Sequence, residues 1–506
     1  MNSKYLYGAS VQGIQAFIFQ TNELKDIVGA SELVQEICTD KFMEIPFEDK
    51  KKVKDGIVVQ AAGNIKCIFE NKEDCMKAVL TFPKMVMEAA PSITISQAVV
   101  KMEGRFESFD KAVDELEKRL RTQRNRPTAS QTLGMMGIER SRKTGLPAVE
   151  WDGNDAIDIG THKKRERYQI LSLCEKSFGK NETASRDVAY DIGDMTWRND
   201  WIAIVHADGN GLGEVVREIG SNAERLKEFS NKLDEATKSA AQAAFQAIKK
   251  KYYDDESERP WGSKRIPLRP AVLSGDDMTI ICRADLALDY TKEFIRNFET
   301  ATAEMGYPLT ACAGIAFIKS SYPFYYGYKL AEALCDQAKK DSKSEEMRQA
   351  NDQKILSSIM FHKVQSSFVK EYSDIVKKEL MTEDRKVFFD FGPYYLNADA
   401  KLQDRWSVER LEQSVERLSS EEGNAVKSAV RRWLTAMANN RSLADQMKKR
   451  SQNIISQENL RKEYNALTTG VQLNRKPRVD NDADNVETYP AYDVLSLQTI
   501  NNQETR

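Results

Sequence analysis

The chain has 506 residues, with 75 Lys and Arg against 77 Asp and Glu, a formal charge of −2 and 41% hydrophobic residues. This length predicts about three domains, and the few glycines and prolines exclude a fibrous or low-complexity chain. The near-neutral charge argues against a protein that coats nucleic acid through one large basic field. No long apolar stretch or signal peptide is present, which predicts a cytoplasmic protein that does not bind membranes.

The number and spacing of the cysteines and histidines exclude further kinds of metal site. The seven cysteines are an odd number and form no CxxC pair, so we expect buried, reduced thiols and no structural zinc. The three histidines, His162, His206 and His362, are far apart in the sequence. A metal centre rich in imidazole is therefore excluded, including that of a His-Asp nuclease.

The first unit of the chain has the order βαββαβ. Residues 5–11 are typical of a strand, and the apolar residues from Phe17 to Ile37 predict one long helix after it. The runs 57–61 and 65–69 flank a Gly63-Asn64 turn and predict a hairpin. The remaining elements of the unit are a helix, a strand and a charged helix, predicted at 72–89, 92–100 and 107–121. From 123 to about 199 the periodicity fades, which predicts a connector with short local structure.

The same pattern restarts at Trp201. A buried strand at 201–207 is followed by the run Asp208-Gly209-Asn210-Gly211-Leu212-Gly213 and by a long helix to about Lys251. A second hairpin surrounds Ser274-Gly275-Asp276-Asp277, and a helix, a strand and a helix follow at 284–305, 309–318 and 326–340. Aligning 9–15 with 207–213, and 61–64 with 274–277, indicates a diverged internal duplication.

After about Asp341 the sequence is predicted to be mainly helical. Apolar residues recur at helical spacing through Ile355, Ile359, Val364 and Phe368, and again between 411 and 426. The polar stretch from Thr468 is predicted to be partly extended or disordered.

Three carboxylates are expected to meet in the second unit. Asp208 ends its strand, Asp276 and Asp277 lie at the tip of the hairpin, and in a βαββαβ sheet these elements are neighbours. Two-metal phosphoryl transfer needs carboxylates from separate elements, and Mg²⁺ prefers oxygen ligands. Either acidic run alone is more often a solvated turn, so the prediction depends on their combination. Ser10 aligns with Asp208, so only the second copy can hold a divalent metal in this way.

Residues around the carboxylates predict a site for a triphosphate. Gly209 and Gly211 open a helix whose free N–H groups favour phosphate oxygens, while Ser274 and Gly275 leave space for a nucleotide. Lys339, on the helix after the last strand, is a candidate to neutralise phosphate charge, with a solvated helix face as the alternative.

Two neighbouring features are interpreted as structural. His206 faces the same side of its strand as Asp208 but has no metal partners of its own, so we interpret it as a packed histidine. The aromatic run at 322–328 is interpreted as packing in preference to base stacking.

The chain resembles the large polymerase-like subunit of type III CRISPR effector complexes over about residues 1–370, in the segments YLYGASVQGIQAFIFQTNELKDIVGASELV, HADGNGLGEVV, SGDDMTIIC and YYGYKLAEALCDQAKK. The resemblance implies an α+β fold with two ferredoxin-like palm domains, the first degenerate and the second active, plus a mainly α-helical C-terminal domain. The expected division is a first palm at 1–125, a connector at 126–198, a second palm at 199–344, and a helical domain with a polar tail at 345–506.

The same resemblance implies a function. The family converts ATP into cyclic oligoadenylate messengers with Mg²⁺ or Mn²⁺ when target RNA is recognised, which is a form of antiviral defence. SGDD corresponds to the GGDD motif of the family; Asp208, Asp276 and Asp277 resemble its metal-binding carboxylates, and Lys339 resembles its phosphate-contacting lysine. The implied partners are nucleoside triphosphates, guide and target RNA and other effector subunits, and a dimer is a further option.

Departures from the family pattern leave alternatives open. The His-Asp nuclease domain of many relatives is expected to be absent, the cysteines often found between the palms are missing, and Asn210 stands where some relatives have an acid. One alternative is a non-catalytic RNA-binding or assembly subunit, and another is a stand-alone cyclic dinucleotide synthase. Base preference, ring size and the activating ligand stay open.

Overall fold

The computed structural model describes residues 4–61, 63–91, 93–126, 136–196, 200–253, 261, 265–365, 371–396, 405–473 and 486–501. The first palm contains, in chain order, β1 (Lys4–Gln12), α1 (Ile14–Ile18), α2 (Leu24–Glu36), α3 (Phe42–Glu44), α4 (Lys50–Gly56), β2 (Ile57–Ala61), β3 (Asn64–Phe69), α5 (Lys72–Ala89), β4 (Thr94–Met102) and α6 (Phe109–Arg124).

The strands of the first palm form an antiparallel sheet in the order β2-β3-β1-β4, as the βαββαβ pattern predicts. β1 is apolar along most of its length because it lies between two neighbours and is buried. The prediction of one helix from Phe17 to Ile37 was wrong, since α1 ends before α2 begins. The buried ammonium of Lys164 donates to Phe17 O at 2.7 Å and to Gln20 Oε1 at 2.9 Å, which stabilises this break.

The segment between the palms has short elements, as predicted. They are β5 (Ala148–Asp152), β6 (Asp155–Asp158), α7 (Ile159–Arg165), α8 (Ser172–Phe178) and α9 (Ile192–Met195). The strands β5 and β6 form a two-stranded sheet. Helix α7 packs on α2 and carries Lys164, so this segment is part of the folded core around the first palm.

The second palm repeats the architecture of the first. Its elements are β7 (Trp201–Asn210), α10 (Leu212–Ile219), α11 (Ala223–Tyr252), β8 (Leu268–Ser274), β9 (Asp277–Arg283), α12 (Ala287–Glu304), β10 (Thr310–Lys319), α13 (Phe324–Ser342), α14 (Glu345–Ala350) and β11 (Ser358–Lys363). The order β8-β9-β7-β10 matches that of the first sheet. The one helix expected after β7 is divided into α10 and α11 near Gly220.

The C-terminal region is mainly helical. Its elements are α15 (Tyr372–Ile375), β12 (Val387–Phe388), β13 (Tyr394–Tyr395), α16 (Val408–Ser419), α17 (Asn424–Asn439), α18 (Arg441–Ile454), α19 (Glu458–Thr468), β14 (Val471–Leu473), β15 (Val486–Thr488) and α20 (Ala491–Asn501). The α+β fold with two ferredoxin-like palms and a helical C-terminal region is therefore confirmed.

One expectation for this region was wrong, and another was incomplete. Ile359, expected on a helix, lies in β11, which pairs parallel to β10 and joins β13 to the sheet. The sheet therefore has six strands in the order β13-β11-β10-β7-β9-β8 and continues past the boundary expected at residue 344. Phe368 lies outside the described residues. The tail from Thr468, predicted to be partly extended or disordered, contains the short strands β14 and β15 and also the helix α20, which is buried along most of its length.

The seven cysteines are free thiols in the core, as predicted. Across the described ranges, none of the helices is both long and apolar enough to cross a membrane.

Candidate active site

The backbone brings Asp208, Asp276 and Asp277 to one end of the second palm sheet. Asp208 on β7 is the cross-strand partner of Asp277 on β9, and Asp276 lies in the hairpin loop before β9. β7 continues three residues beyond the end predicted at 207, so Asp208 and Gly209 lie within the strand, and Gly209 does not open the following helix as expected. The Asp276 carboxylate lies directly over Gly209, because a Cβ at Gly209 would be 2.8 Å from Asp276 Oδ2. Only glycine permits this approach.

Both carboxyl groups at the hairpin, those of Asp276 and Asp277, have raised pKa values. Burial and the nearby charge of Asp208 raise the pKa of Asp276 to about 7 and that of Asp277 to about 8. Asp277 Oδ1 is buried, has no hydrogen-bond partner among the described residues, and lies 3.4 Å from His206 Nδ1. A bound cation would relieve both the repulsion and the unmet acceptor.

Lys339 reaches this end of the sheet from α13. Its ammonium donates to the Asp208 carboxylate and, at 3.0 Å, to Gly209 O. Burial by itself would lower the pKa of Lys339, but the Asp208 carboxylate raises it above its ordinary value. The ammonium therefore lies where a cation would be held between a carboxylate and a backbone carbonyl.

The donor set suits a hard divalent cation, although the side chains are not arranged as a closed metal cage. In the parts of the chain that the structure describes, no three His, Cys, Asp or Glu side chains converge as a group able to hold a metal. The available atoms are carboxylate oxygens and the Gly209 carbonyl, which are the ligands that Mg²⁺ and Mn²⁺ prefer. Asp208, Asp276 and Asp277 would hold such an ion once Asp208 is released by Lys339.

The other predicted residues surround this cluster. Gly211 has φ +83° and leads from β7 into α10, the turn that the sequence predicted. Ser274 is the cross-strand partner of Asp277, and Gly275 forms the turn with Asp276. Asn210 is buried and donates to Thr310 Oγ1 and Cys312 Sγ, each at 3.2 Å, so its amide nitrogen is engaged within the sheet.

His206 is packed, as its sequence context suggested. Its Nδ1 lies 3.1 Å from Thr279 Oγ1, and its ring meets the Tyr328 ring edge-on at 5.6 Å. Burial lowers the pKa of His206, which favours the neutral imidazole. The residue thus contacts Asp277 without serving as an independent metal centre.

A cavity of about 430 Å³ adjoins the carboxylates and lies between the two palms. The second palm contributes Leu212 and the hairpin tip 274–277, and the first palm contributes Gln15, Asn64 and Arg124. Its volume lies in the range of sites that hold small ligands. The arrangement can therefore place a nucleotide against Asp276 and Asp277, the second of which is the cross-strand partner of Asp208.

Sequence reasoning missed the contribution of the first palm to this cavity. Arg124 Nη2 donates to Ser10 Oγ at 3.3 Å, at the position that corresponds to the Lys339–Asp208 contact. A signal was present, because Arg124 and Lys339 each lie 15 residues after the phenylalanine that opens their helix. Thr237 on α11, which donates to Gly275 O, was also missed, and no sequence pattern marked it.

Comparison with known proteins agrees with this architecture. Residues 201–348 match the family model for the Cas10/Cmr2 second palm domain. The chain carries a Cas10/Cmr2 second palm domain. This segment contains Asp208, the SGDD tip and Lys339, and it confirms the resemblance that the sequence motifs indicated. No curated protein matches the chain.

Solved structures share the fold across the whole chain. A Csm1–Csm4 cassette in complex with pppApA matches with a TM-score of 0.59 at 15% identity, and the cassette in complex with cA3 matches with 0.58 at 14%. The apo cassette gives a TM-score of 0.55 at 14% identity. Each match covers 100% of this chain and 70% of the other. At this identity the likeness establishes a Cas10-like fold.

Proposed function

We propose that the protein is a metal-dependent nucleotidyltransferase that joins ATP into cyclic oligonucleotides for antiviral signalling. The observation that carries the proposal is the meeting of Asp208, Asp276 and Asp277 beside the cavity between the palms. It is supported by the Cas10/Cmr2 palm match and by the related cassettes solved with cA3, cA4, ATP and pppApA.

In this proposal the three aspartates hold Mg²⁺ or Mn²⁺. Bound divalent cations lower the pKa of an attacking 3′-hydroxyl and neutralise the leaving pyrophosphate. The ammonium of Lys339 moves from the Asp208 carboxylate to phosphate oxygens of the substrate, because both partners are anionic and the lysine stem is flexible. Gly209 permits the close approach of Asp276, Gly275 adds no side chain at the hairpin turn, and Gly211 and Ser274 complete the nucleotide contacts.

The first palm completes the cavity in this proposal. Its walls are apolar near Ile14 and Ile65 and polar at Gln15, Asn64 and Arg124. Such a mixed lining can position a purine ring and its phosphates together. Most of the rate enhancement then comes from positioning and electrostatics, and no side-chain nucleophile is needed.

The test is to incubate the purified protein with labelled ATP and Mg²⁺ or Mn²⁺, with and without RNA and candidate partner subunits. Products are identified by mass spectrometry. We expect cyclic oligoadenylates that disappear in the Asp276→Ala/Asp277→Ala double variant. The matched control is Glu345→Ala/Glu346→Ala, which removes two adjacent carboxylates from α14, outside the cavity.

The outcomes separate the competing functions. Product from the parent and the control, but not from the double variant, supports the proposal. A requirement for RNA assigns the protein to a guided complex, whereas cyclic dinucleotides formed without RNA indicate a stand-alone synthase. No product under any condition, together with retained assembly of the double variant, would indicate a non-catalytic scaffold.

A further inference from the structure

A second cavity, of about 750 Å³, opens at the opposite end of the six-stranded sheet. Three adjacent strands bring residues there: β7 begins at Trp201, β10 ends at Lys319 and β11 ends at Lys363. Lys319 is the cross-strand partner of Trp201. Asp208 is seven residues further along β7, roughly 23 Å away at the rise of an extended strand. This cavity is therefore separate from the candidate active site.

The C-terminal helices α17 and α20 form another wall of the cavity, and α17 adds a third positive charge. Arg431 comes from α17, and Thr499 comes from α20. Within the described residues, no ion pair joins Lys319, Lys363 or Arg431 to an acidic side chain. Burial, together with the charges of Lys319 and Arg431, lowers the pKa of Lys363 to about 8. Three cations thus face one partly enclosed space, and none of them is paired with an acidic side chain of the described ranges.

Lys319 and Lys363 contact neutral groups, an indole ring and a hydroxyl, which stabilise an ammonium group less than an anion would. Lys319 Nζ and Lys363 Nζ each lie 4.6 Å from the centroid of the Trp201 ring. Lys363 Nζ also donates to Thr499 Oγ1 at 2.6 Å. Like charges held together in this way raise the free energy of the folded state, whereas charge-assisted hydrogen bonds to an oxyanion would lower it.

We propose that this cavity binds a phosphate-bearing ligand of nucleotide size, either a free nucleotide or the end of a short single-stranded oligonucleotide. Lys319, Lys363 and Arg431 hold the phosphate, and the two ammonium groups leave the Trp201 ring for the phosphate, which gives the base access to the indole. The volume is in the range of small-ligand sites. The proposal is independent of nucleotide joining at the aspartates.

The experiment uses the full chain carrying Asp276→Ala and Asp277→Ala, in EDTA, so that metal-dependent binding at the palm does not contribute. Equilibrium dialysis measures binding of four probes: labelled ATP, AMP, a six-nucleotide oligoadenylate and inorganic phosphate. Adding Lys319→Gln and Arg431→Gln, both at exposed positions, is expected to weaken ATP binding at least about tenfold. Arg432→Gln, the next residue on α17 and not part of the cavity, is expected to leave it within about twofold.

A second measurement separates binding from a structural role. In the Asp276→Ala/Asp277→Ala chain in EDTA, Lys363→Met removes a half-buried, repelled charge, so it is expected to raise the Tm of the ligand-free protein and to abolish the Tm increase that ATP gives when Lys363 is present. The ranking of ATP, AMP and oligoadenylate identifies the source of the phosphate. Failure of all four probes to bind, or equal ATP binding with and without Lys319→Gln and Arg431→Gln, would overturn the proposal.

Discussion

The two palms have the same backbone arrangement, but they differ in the charged side chains on the central strand and at the hairpin tip. In both, the central strand ends one residue before a left-handed glycine, Gly13 at φ +73° and Gly211 at φ +83°, and a helix follows. Ser10 pairs with Asn64 across the first sheet as Asp208 pairs with Asp277 across the second. The sequence alignment of the duplication therefore corresponds to the same register in both sheets.

The difference shows that the palm skeleton does not need its aspartates. Ser10 accepts hydrogen bonds from Gln12 Nε2 at 3.1 Å and Arg124 Nη2 at 3.3 Å, a neutral acceptor with a cationic neighbour. In the second palm three acids, Asp208, Asp276 and Asp277, stand at the aligned strand and hairpin positions, and burial together with the charge of Asp208 raises the pKa values of Asp276 and Asp277. An arrangement that costs stability in one copy, and is absent from the other, is typical of a functional site, which is the role we propose for Asp208, Asp276 and Asp277.

The largest expected effect comes from making the second palm resemble the first. Asp208→Ser removes a proposed metal ligand at an otherwise unchanged position, so cyclic product should fall at least about 100-fold. The variant should fold, because serine is accommodated at this register in β1. Product is quantified by mass spectrometry, and folding is checked by circular dichroism.

The reverse exchange is the control for this comparison. Ser10→Asp should not create a second active centre, because Gly63 and Asn64 supply no carboxylate at the first hairpin. Retention of more than a tenth of the product by Asp208→Ser would remove Asp208 from the proposed site.

The next effect concerns space at the hairpin of the second palm. Val11 aligns with Gly209, so the first palm accepts a side chain where the second has none. Gly209→Ala would place its Cβ 2.8 Å from Asp276 Oδ2 and 2.9 Å from Asp276 Cβ, which must shift the carboxylate. Displacement of a catalytic group by a fraction of an ångström is expected to lower the rate about tenfold or more. Initial rates of ATP consumption measure this effect.

Gly193→Ala is the matched control for Gly209→Ala. A Cβ at Gly193 would meet nothing within 4 Å, so this variant should keep the parental rate. Equal rates for both variants would show that the position of Asp276 does not matter for the reaction.

A smaller effect on the rate is expected from substituting Lys339 and Arg124, which occupy equivalent positions in the two palms. Lys339→Met removes the ammonium from Asp208 and should lower the rate about tenfold, mainly through weaker use of ATP. Arg124→Met removes the corresponding charge from the first palm, where it contacts a neutral serine, and should cost less than about threefold. Steady-state kinetics over a range of ATP concentrations compare the two. A larger loss for Arg124→Met would mean that the first palm carries the main phosphate contact.

Much of this comparison could be read from the sequence. The strong alternation and turn signals predicted both βαββαβ units, and the aligned turns gave the positions of Ser10, Asp208 and the two hairpin tips. Such features are local, because strand order and register follow from short hydrophobic runs and tight turns. The domain boundaries and the roles of the site residues stay predictions.

The parts that were wrong or missed depend on tertiary contacts. Ile359 suits a buried strand as well as a helix, and only pairing with β10 decides between the two structures. α20 is surrounded by other elements, so its sequence lacks the amphipathic period of a surface helix. The Lys339–Asp208 contact and the cavity between the palms require distant segments to be placed together, which no local pattern encodes.

The smallest expected effect is on stability, and it separates the two hairpins by pH. In the metal-free protein the pKa values of Asp276 and Asp277 are raised to about 7 and about 8, so between roughly pH 4 and pH 8 the folded state binds more protons than the unfolded state. The free energy of unfolding therefore falls as pH rises through this window. Asp276→Asn/Asp277→Asn should raise the Tm by about 2 °C at pH 8.5 in EDTA and by less at pH 5.

The control is Asn64→Asp, at the exposed tip of the first hairpin, which should shift the Tm little at either pH. An equal gain for the double variant at both pH values would contradict this account, because it would show that repulsion between ionised carboxylates does not distinguish the second palm from the first.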